Sequence, residues 1–137
     1  MNVILHKNDS GANTLTYVAK GYSVEEVQQE VGGIEITSQI EGFRHDFLNA
    51  YTIVNNNLSF DLEKARLIKV DFIRQERDIA FTDFDKRYEI ALRDELDLSL
   101  LKQERQKLKD APEKAEEYLN SCISIEEIEA LKLVSLL

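Results

Sequence analysis

The sequence predicts an α+β fold: a small N-terminal β-β-α-β unit, followed by a long antiparallel α-helical hairpin and a short C-terminal helix. Three features of the chain lead to this prediction. Short β-rich runs separated by turn residues fill the first part. From Asp61 onward, apolar residues recur at steps of three or four, as on one side of a helix. Turn-forming residues interrupt this helical pattern near residues 95–97, where the chain can fold back.

The length favours one cooperative domain made of two parts. A chain of 137 residues is long enough to bury a core and fold alone. Residues 1–60 are expected to form a small β-rich unit with one helix and an apolar connector. Residues 61–137 are expected to form the helical hairpin and the C-terminal helix.

The N-terminal unit is predicted to contain three strands and one helix. "NVILH" and "TLTYVAK" flank the turn cluster "KNDSGAN", which indicates a hairpin with a loose loop. A helix should follow Ser23, because Ser23 and Glu26 have the spacing of a capping box, and glycines 32–33 should end it. "IEITSQI" alternates apolar and polar residues, so we expect a third strand there.

The connector to the helical part is too apolar to be a free linker. "EGFRHDFLNAYTIVNNNLSFDLEKA" contains aromatic and aliphatic residues throughout, so we expect it to pack against the rest of the chain, partly extended. "NNN" at residues 55–57 predicts a turn.

The helical part should begin at Asp61, which can cap a helix with Lys64 at its third position. Its apolar stripe drifts around the helix and is broader than a coiled-coil seam. The stripe contains Ala65, Ile68, Phe72, Ile79, Ala80, Phe84, Tyr88 and Ala91. This helix should stop near "DELDLS".

Two or three further helices are predicted after the turn. "LSLLKQERQKLKD" has helical spacing, and Pro112 should end that helix or open a new one, so "PEKAEEYLNSC" is a candidate short helix. Ser124 and Glu127 form a second capping-box pattern. The apolar face of that last helix would contain Ile125, Ile128, Leu131 and Val134.

Composition argues against several function classes. The net charge is −9, and 17 basic residues are interleaved with 26 acidic ones, which disfavours nucleic-acid binding and also a continuous acidic stripe that would mimic DNA. No window approaches the ~20 apolar residues of a membrane span, and no signal peptide is recognisable. The single Cys122 fits a reducing compartment.

The residues that usually carry chemistry are sparse. His6 and His45 are the two histidines, and "RHD" around His45 is not evidence of a triad, because adjacent side chains point in different directions. Neither a zinc motif nor a phosphate loop is present, and Cys122 has no nearby basic cluster and is expected to be a buried structural thiol. No spacing favours a paired-carboxylate hydrolase. We therefore expect no enzyme activity, no cofactor and no metal.

A dense charged motif runs along both helices of the hairpin and is interpreted as a structural or interaction motif. It contains Arg74, Arg77, Asp78, Asp85, Arg105, Asp110 and Pro112. If the chain folds back near residues 95–97, two residues that lie at the same level on the two antiparallel helices have numbers that add up to roughly 192. We expect Arg105 to pair with Asp85 across the hairpin, where it would fix the register of the helices. The alternative is a solvated surface pair worth ~0–1 kcal/mol.

Partner contacts are expected from exposed apolar residues and from the sheet. The candidate contact residues are Tyr22, Phe43, Phe47 and Tyr51, together with the terminal "VSLL". The β unit could also add an edge strand to a partner.

The order of these motifs resembles a family of small proteins encoded near the tail genes of tailed bacteriophages. The resemblance covers nearly the whole chain and includes the long segment from "FLNAYTIV" to "ALRDE", then "RQKLKDAPE" and "SIEEIEAL". The positions that match are Asn49, Ala50, Tyr51, Asp61, Lys64, Ala65, Arg74, Arg77, Asp85, Arg105, Gln106, Leu108, Lys109, Asp110 and Pro112. The "RQ.LKD.P" element is also similar to tail-fibre assembly chaperones and to tails of fibre proteins.

The resemblance implies a structural protein of the virion tail, near the tail fibres or neck, which acts by protein–protein contact. Its expected partners are other phage structural proteins, and a homo-oligomer is compatible with this role; nucleic acid and membrane are not expected partners. Its expected location is the virion, and the host cytoplasm during assembly. Two alternatives stay open: a tail-fibre assembly chaperone that leaves the finished particle, and a small acidic inhibitor of a host enzyme.

Overall fold

The computed structural model describes residues 1–137 and confirms the α+β fold. The strands are β1 (Asn2–Lys7), β2 (Asn13–Val18), β3 (Ile34–Glu35), β4 (Tyr51–Val54) and β5 (Asn57–Phe60). The helices are α1 (Val24–Val31), α2 (Leu62–Arg93), α3 (Ser99–Asn120) and α4 (Ile125–Ala130), with 3₁₀ turns at Thr37–Gln39, His45–Ala50 and Leu133–Leu136. The chain forms two compact units, Met1–Lys64 and Ala65–Leu137. Their unfolding as one cooperative domain stays a prediction.

The first unit contains a three-stranded antiparallel sheet in the order β2-β1-β3. The predicted hairpin of β1 and β2 is present, with Leu5 opposite Leu15 on one side and Ile34 on the other. The third strand is shorter than expected. The Ile36 N–H still donates to the Val3 carbonyl at 2.8 Å, but the Val3 N–H donates to the Thr37 hydroxyl at 3.0 Å instead of a backbone carbonyl, and a 3₁₀ turn follows at Thr37–Gln39.

Helix α1 begins at the predicted cap. The Ser23 Oγ accepts a hydrogen bond from the Glu26 N–H at 3.4 Å and donates to the Glu25 carboxylate at 2.8 Å, so only half of the capping box forms. The helix ends at Gly32, whose φ of 77° suits glycine. Gly33, with φ of 78°, lies so close to β1 that a Cβ there would be 1.9 Å from the Leu5 carbonyl oxygen.

The connector folds into a second hairpin that the sequence reasoning did not predict. Strands β4 and β5 pair around a two-residue turn formed by Asn55 and Asn56. Both asparagines have positive φ, 51° and 61°, as a type I′ turn requires. The turn at residues 55–57 was predicted, but the two strands that it connects were not.

Helix α2 starts and stops where the sequence indicated. The Asp61 Oδ1 accepts from the N–H groups of Glu63 at 3.0 Å and Lys64 at 3.3 Å. The C-terminus closes in a Schellman arrangement, in which the Leu96 N–H donates to the Ala91 carbonyl at 2.9 Å. Glu95 adopts the left-handed conformation that this cap needs, with φ of 55°. The chain then reverses direction, and the predicted helical hairpin is present.

Pro112 neither ends nor begins a helix, so that prediction is wrong. Helix α3 runs without interruption from Ser99 to Asn120, with Pro112 buried inside it. Packing of this side of α3 outweighs the loss of one backbone hydrogen bond at the proline. Helix α4 is also shorter than predicted and ends at Ala130, so Leu133 is buried and Val134 is exposed.

Two basic side chains of α2 tie the C-terminal part of the second unit together. Arg66 donates from Nε to the Leu119 carbonyl at 3.0 Å and from Nη2 to the Cys122 carbonyl at 2.7 Å. The Leu119 carbonyl also accepts from the Cys122 N–H at 3.1 Å, so the two bonds from Arg66 fix the end of α3 and the turn after it against α2. Lys69 is buried and donates to the Glu129 carbonyl of α4 at 3.2 Å.

Candidate functional site

Three of the four aromatic residues predicted to contact a partner are buried. Tyr22 is 70% exposed, as expected, but Phe43, Phe47 and Tyr51 are buried, so the expected exposure is wrong for these three residues. The Phe43 and Tyr51 rings stack with centroids 4.1 Å apart, and the Tyr51 hydroxyl accepts from the Arg44 N–H. Both belong to the core of the first unit, because three short strands cannot bury enough apolar surface without a covering segment.

The predicted edge-strand contact is blocked at the start of β2. The Asn13 N–H, on the outer edge of β2, donates to the Asn49 side-chain oxygen at 2.8 Å. The buried Asn13 amide also donates to the carbonyls of Leu48 at 2.8 Å and Tyr51 at 2.7 Å. The segment His45–Ala50 is therefore fixed beside the start of this edge, and strand addition along the rest of β2 stays a prediction.

The charged residues of the motif lie on the surface of the hairpin, whereas Pro112 is buried in α3. Arg74 bonds to Asp71 at 3.1 Å on its own helix and to Glu116 of α3 at 3.4 Å. Arg77 bonds to its neighbour Asp78 at 3.0 Å, and Asp110 accepts from the Gln106 amide at 2.9 Å. Surface pairs of this kind contribute little to stability, so the motif is not explained by folding alone.

The ion pair expected between Asp85 and Arg105 does not form, and Arg87 pairs with Glu104 instead. The register was nevertheless predicted well. The numbers of the paired residues add up to 191 for Arg87 and Glu104 and to 190 for Arg74 and Glu116, against 192 expected. Asp85 is level with Arg105 along the hairpin. However, Asp85 and Arg87 are two residues apart, which corresponds to a rotation of about 200° around the helix, so Asp85 points away from the side that Arg87 occupies.

Arg87 is the centre of an exposed ionic cluster. Its guanidinium donates to Asp83 Oδ2 at 3.0 Å and from Nη1 to Glu104 Oε2 at 3.0 Å, and it lies over the Phe84 ring. The hydrogen bonds from Arg87 hold the pKa of the Glu104 carboxyl below its usual value. The same bonds to Glu104 and Asp83 raise the pKa of Arg87. This cluster links α2 to α3 on one side of the hairpin. It lies in the distal half, which is the half nearest the turn between the two helices; the other half is called proximal.

On the opposite side, Arg74 and Glu116 link the two helices far from the turn, and no ion pair links them nearer the turn. The seam is the line along which α2 and α3 pack against each other, and buried Phe84 marks its direction on α2. Around the axis of α2, Arg87 lies about 60° from Phe84 on one side and Arg74 about 80° from it on the other. On α3, buried Leu108 marks the seam in the same manner. Glu104 lies on the side of Arg87 and Glu116 on the side of Arg74, which agrees with the two observed ion pairs. The side of Arg74 and Glu116 is called the open face below.

The open face has an apolar centre between two charged rows. Its centre contains Phe81, Tyr88, Leu92, Leu98 and Leu101, which are half-buried apart from Leu92, whose exposed fraction is 53%. The α2 row is acidic and consists of Asp78, Asp85 and Glu89. The α3 row is basic and consists of Lys102, Arg105 and Lys109. All six charged residues are exposed.

The distal half of the hairpin buries little of its own surface. Between residues 78 and 108, the buried side chains are those of Phe84, Ala91 and Leu108. The proximal half is packed more fully, since Ile128, Leu131 and Leu133 of the C-terminal segment are buried there. A two-helix hairpin has one seam, so its remaining apolar side chains stay accessible unless another protein covers them.

The groups most often used for chemistry do not converge. Cys122 is buried, as predicted, and burial raises the pKa of its thiol. No group of three or more His, Cys, Asp or Glu side chains is placed to hold a metal ion. None of the helices has the length and apolar character needed to span a bilayer.

The sequence indicated three residues of the open face, Asp78, Asp85 and Arg105. It missed Glu89, Lys102, Lys109 and the apolar centre, because these share a face with the first three only when both helices are placed side by side.

Comparison with known protein families, curated proteins and solved structures finds no match to this chain.

Proposed function

We propose that this protein acts by protein–protein contact through the open face of its helical hairpin, as a structural component of a bacteriophage tail near the fibres or neck. The observation that carries the contact role is the apolar centre of the open face, bordered by rows of opposite charge. Exposed apolar surface rimmed by charged residues is typical of interaction sites. The phage context rests on the resemblance of the ordered motifs, from Asn49 to Pro112, to small tail-region proteins.

The proposal also accounts for the positions of Asp85 and Arg105, two residues of the charged motif. Asp85 and Arg105 form no bond within the chain, yet they occupy opposite rows of the same face. Exposed charges at the rim of an interface mainly determine partner choice, orientation and association rate. Their role in this proposal is recognition, and no catalytic step is assigned to any residue.

The test is quantitative mass spectrometry of gradient-purified phage particles, scaled to the major capsid protein. We expect a stoichiometric signal for this protein, and loss of that signal for the variant Leu92→Asp. A matched control is Ile79→Asp, which adds the same charge at an exposed position away from the open face. Absence of the wild-type protein from particles, with abundance in the infected-cell lysate, would contradict a virion role and favour the assembly chaperone or the host inhibitor.

A further inference from the structure

The two charged rows of the open face are complementary to each other and therefore to the same face of a second copy. At one level of the hairpin, Asp85 of α2 lies beside Arg105 of α3, since their numbers add up to 190, as those of Arg74 and Glu116 do. Glu89 and Lys102 are level by the same criterion. Asp78 lies within about one turn of the level of Lys109. Each acidic position thus has a basic position at about its own height.

We propose that two copies of this chain associate through their open faces, with both hairpin tips pointing in the same direction, to form a parallel, two-fold symmetric four-helix bundle. This inference rests on the proposed function, because it names the partner of the same face. The two-fold axis would run along the apolar centre, parallel to the helices. Helix α2 of each copy would then lie against α3 of the other.

The charges select this arrangement over the alternative with opposed tips. In the parallel arrangement, Asp85 faces the second copy's Arg105 and Glu89 faces its Lys102, twice each by symmetry. If the tips pointed in opposite directions, the axis would cross the helices and place α2 on α2, with its acidic row against the same acidic row. Like charges placed opposite each other oppose association, whereas rows of opposite charge at the edges of a helical bundle fix its orientation.

The same arrangement covers the apolar centre. Phe81, Tyr88 and Leu92 of one copy would meet Leu98 and Leu101 of the other, which completes a four-helix core from two incomplete seams. The rows lie about 60–140° from the seam on their helices, so they would occupy the flanks of the bundle. Within one chain, Asp85 and Arg105 lie on opposite flanks of the hairpin and are therefore apart. In the proposed dimer, Asp85 of one copy and Arg105 of the other lie on the same flank and face each other.

The first experiment measures self-association of the full chain by size-exclusion chromatography with light scattering and by sedimentation, over a range of concentrations. We expect a monomer–dimer equilibrium that weakens as salt is raised, because the flanking pairs are exposed. Leu92→Asp should raise the dissociation constant by about a hundredfold, and Asp85→Arg or Arg105→Asp by about tenfold. The double variant Asp85→Arg/Arg105→Asp should return to within about threefold of the wild type.

The controls separate loss of association from loss of folding. Glu76→Arg makes the same charge change as Asp85→Arg at an exposed position on the opposite side of α2 and should leave the dimer unchanged. Circular dichroism should show the same helix content for all variants, since every substituted side chain is exposed.

The orientation is measured with a spin label at Asp71→Cys, an exposed position far from the hairpin tip, in the dimer. Buried Cys122 should stay unlabelled. We expect labels within about 30 Å of each other, whereas opposed tips would separate them by more than about 40 Å, because Asp71 lies about 15 residues, or about 22 Å along α2, from the middle of the apolar centre. Distant labels, a dimer indifferent to the charge reversals, or a monomer at every concentration would each overturn the inference. The particle experiment above is independent of these results, since a different partner could occupy the same face.

Discussion

Gly33 is the position where one added methyl group should damage the first unit most. Its φ of 78° is unfavourable for any residue with a Cβ, and a Cβ at this position would be 1.9 Å from the Leu5 carbonyl oxygen and 2.8 Å from the His6 Cβ. The closest atom is backbone in the central strand β1, so it cannot rotate away. Gly33→Ala must therefore push Ile34 and Glu35 away from β1.

The magnitude follows from the contacts that this displacement breaks. Left-handed backbone costs about 1–2 kcal/mol for a residue with a Cβ. Separation of β3 would also lose the hydrogen bond from the Ile36 N–H to the Val3 carbonyl and the β1–β3 pairing, at about 1 kcal/mol for each bond. We expect Gly33→Ala to lower the free energy of unfolding by about 3–5 kcal/mol.

Urea unfolding followed by circular dichroism, with amide hydrogen exchange in β1 as a local readout, measures this loss. The matched control is Gly11→Ala, which has the same kind of backbone conformation, with φ of 82°, and no atom within 4 Å of the added Cβ. Gly11→Ala should cost only the conformational strain, about 1–2 kcal/mol. Equal destabilisation of the two variants would show that the close packing of Gly33 on β1 is not what holds β3 in place.

Three further changes test the second unit. Glu95→Gly should stabilise the hairpin by about 0.5–1 kcal/mol in urea unfolding, because φ of 55° at this cap favours glycine; an unchanged or lower stability would contradict the Schellman cap. Arg66→Met should cost about 2 kcal/mol, since two carbonyls at the end of α3 lose a charged donor, and Arg66→Lys should recover part of it; equal losses would refute specific capping by the guanidinium. The lowered pKa of Glu104 means that its contribution to stability is present above its ordinary pKa of 4.5 and is lost as the pH falls through its folded value. Glu104→Gln should therefore flatten this acid dependence of the unfolding free energy, and an identical profile would show that the pair with Arg87 does not form in solution.

Local signals in the sequence predicted the elements whose causes are local. Ser23, Asp61 and Ser124 each cap the helix that follows, because the hydrogen bond from a cap spans only two or three residues. The reversal near residue 95 and the helical register were also predictable, since turn residues and helix geometry determine which positions are level. The asparagine pair that forms the second hairpin was visible in the sequence as a turn, but the strands beside it were missed.

Tertiary packing decided the features that depend on residues far apart in the chain. Pro112 stays inside α3 because its side of the helix is buried, and Phe43 and Tyr51 are buried because the small sheet needs a cover. The sequence by itself determined the α+β pattern, the capped starts of α1, α2 and α4, the reversal near residue 95 and the presence of charges such as Asp85 and Arg105. Only the side-by-side placement of α2 and α3 decided which charges share a face, because direction around a helix acquires meaning when a second helix defines the seam.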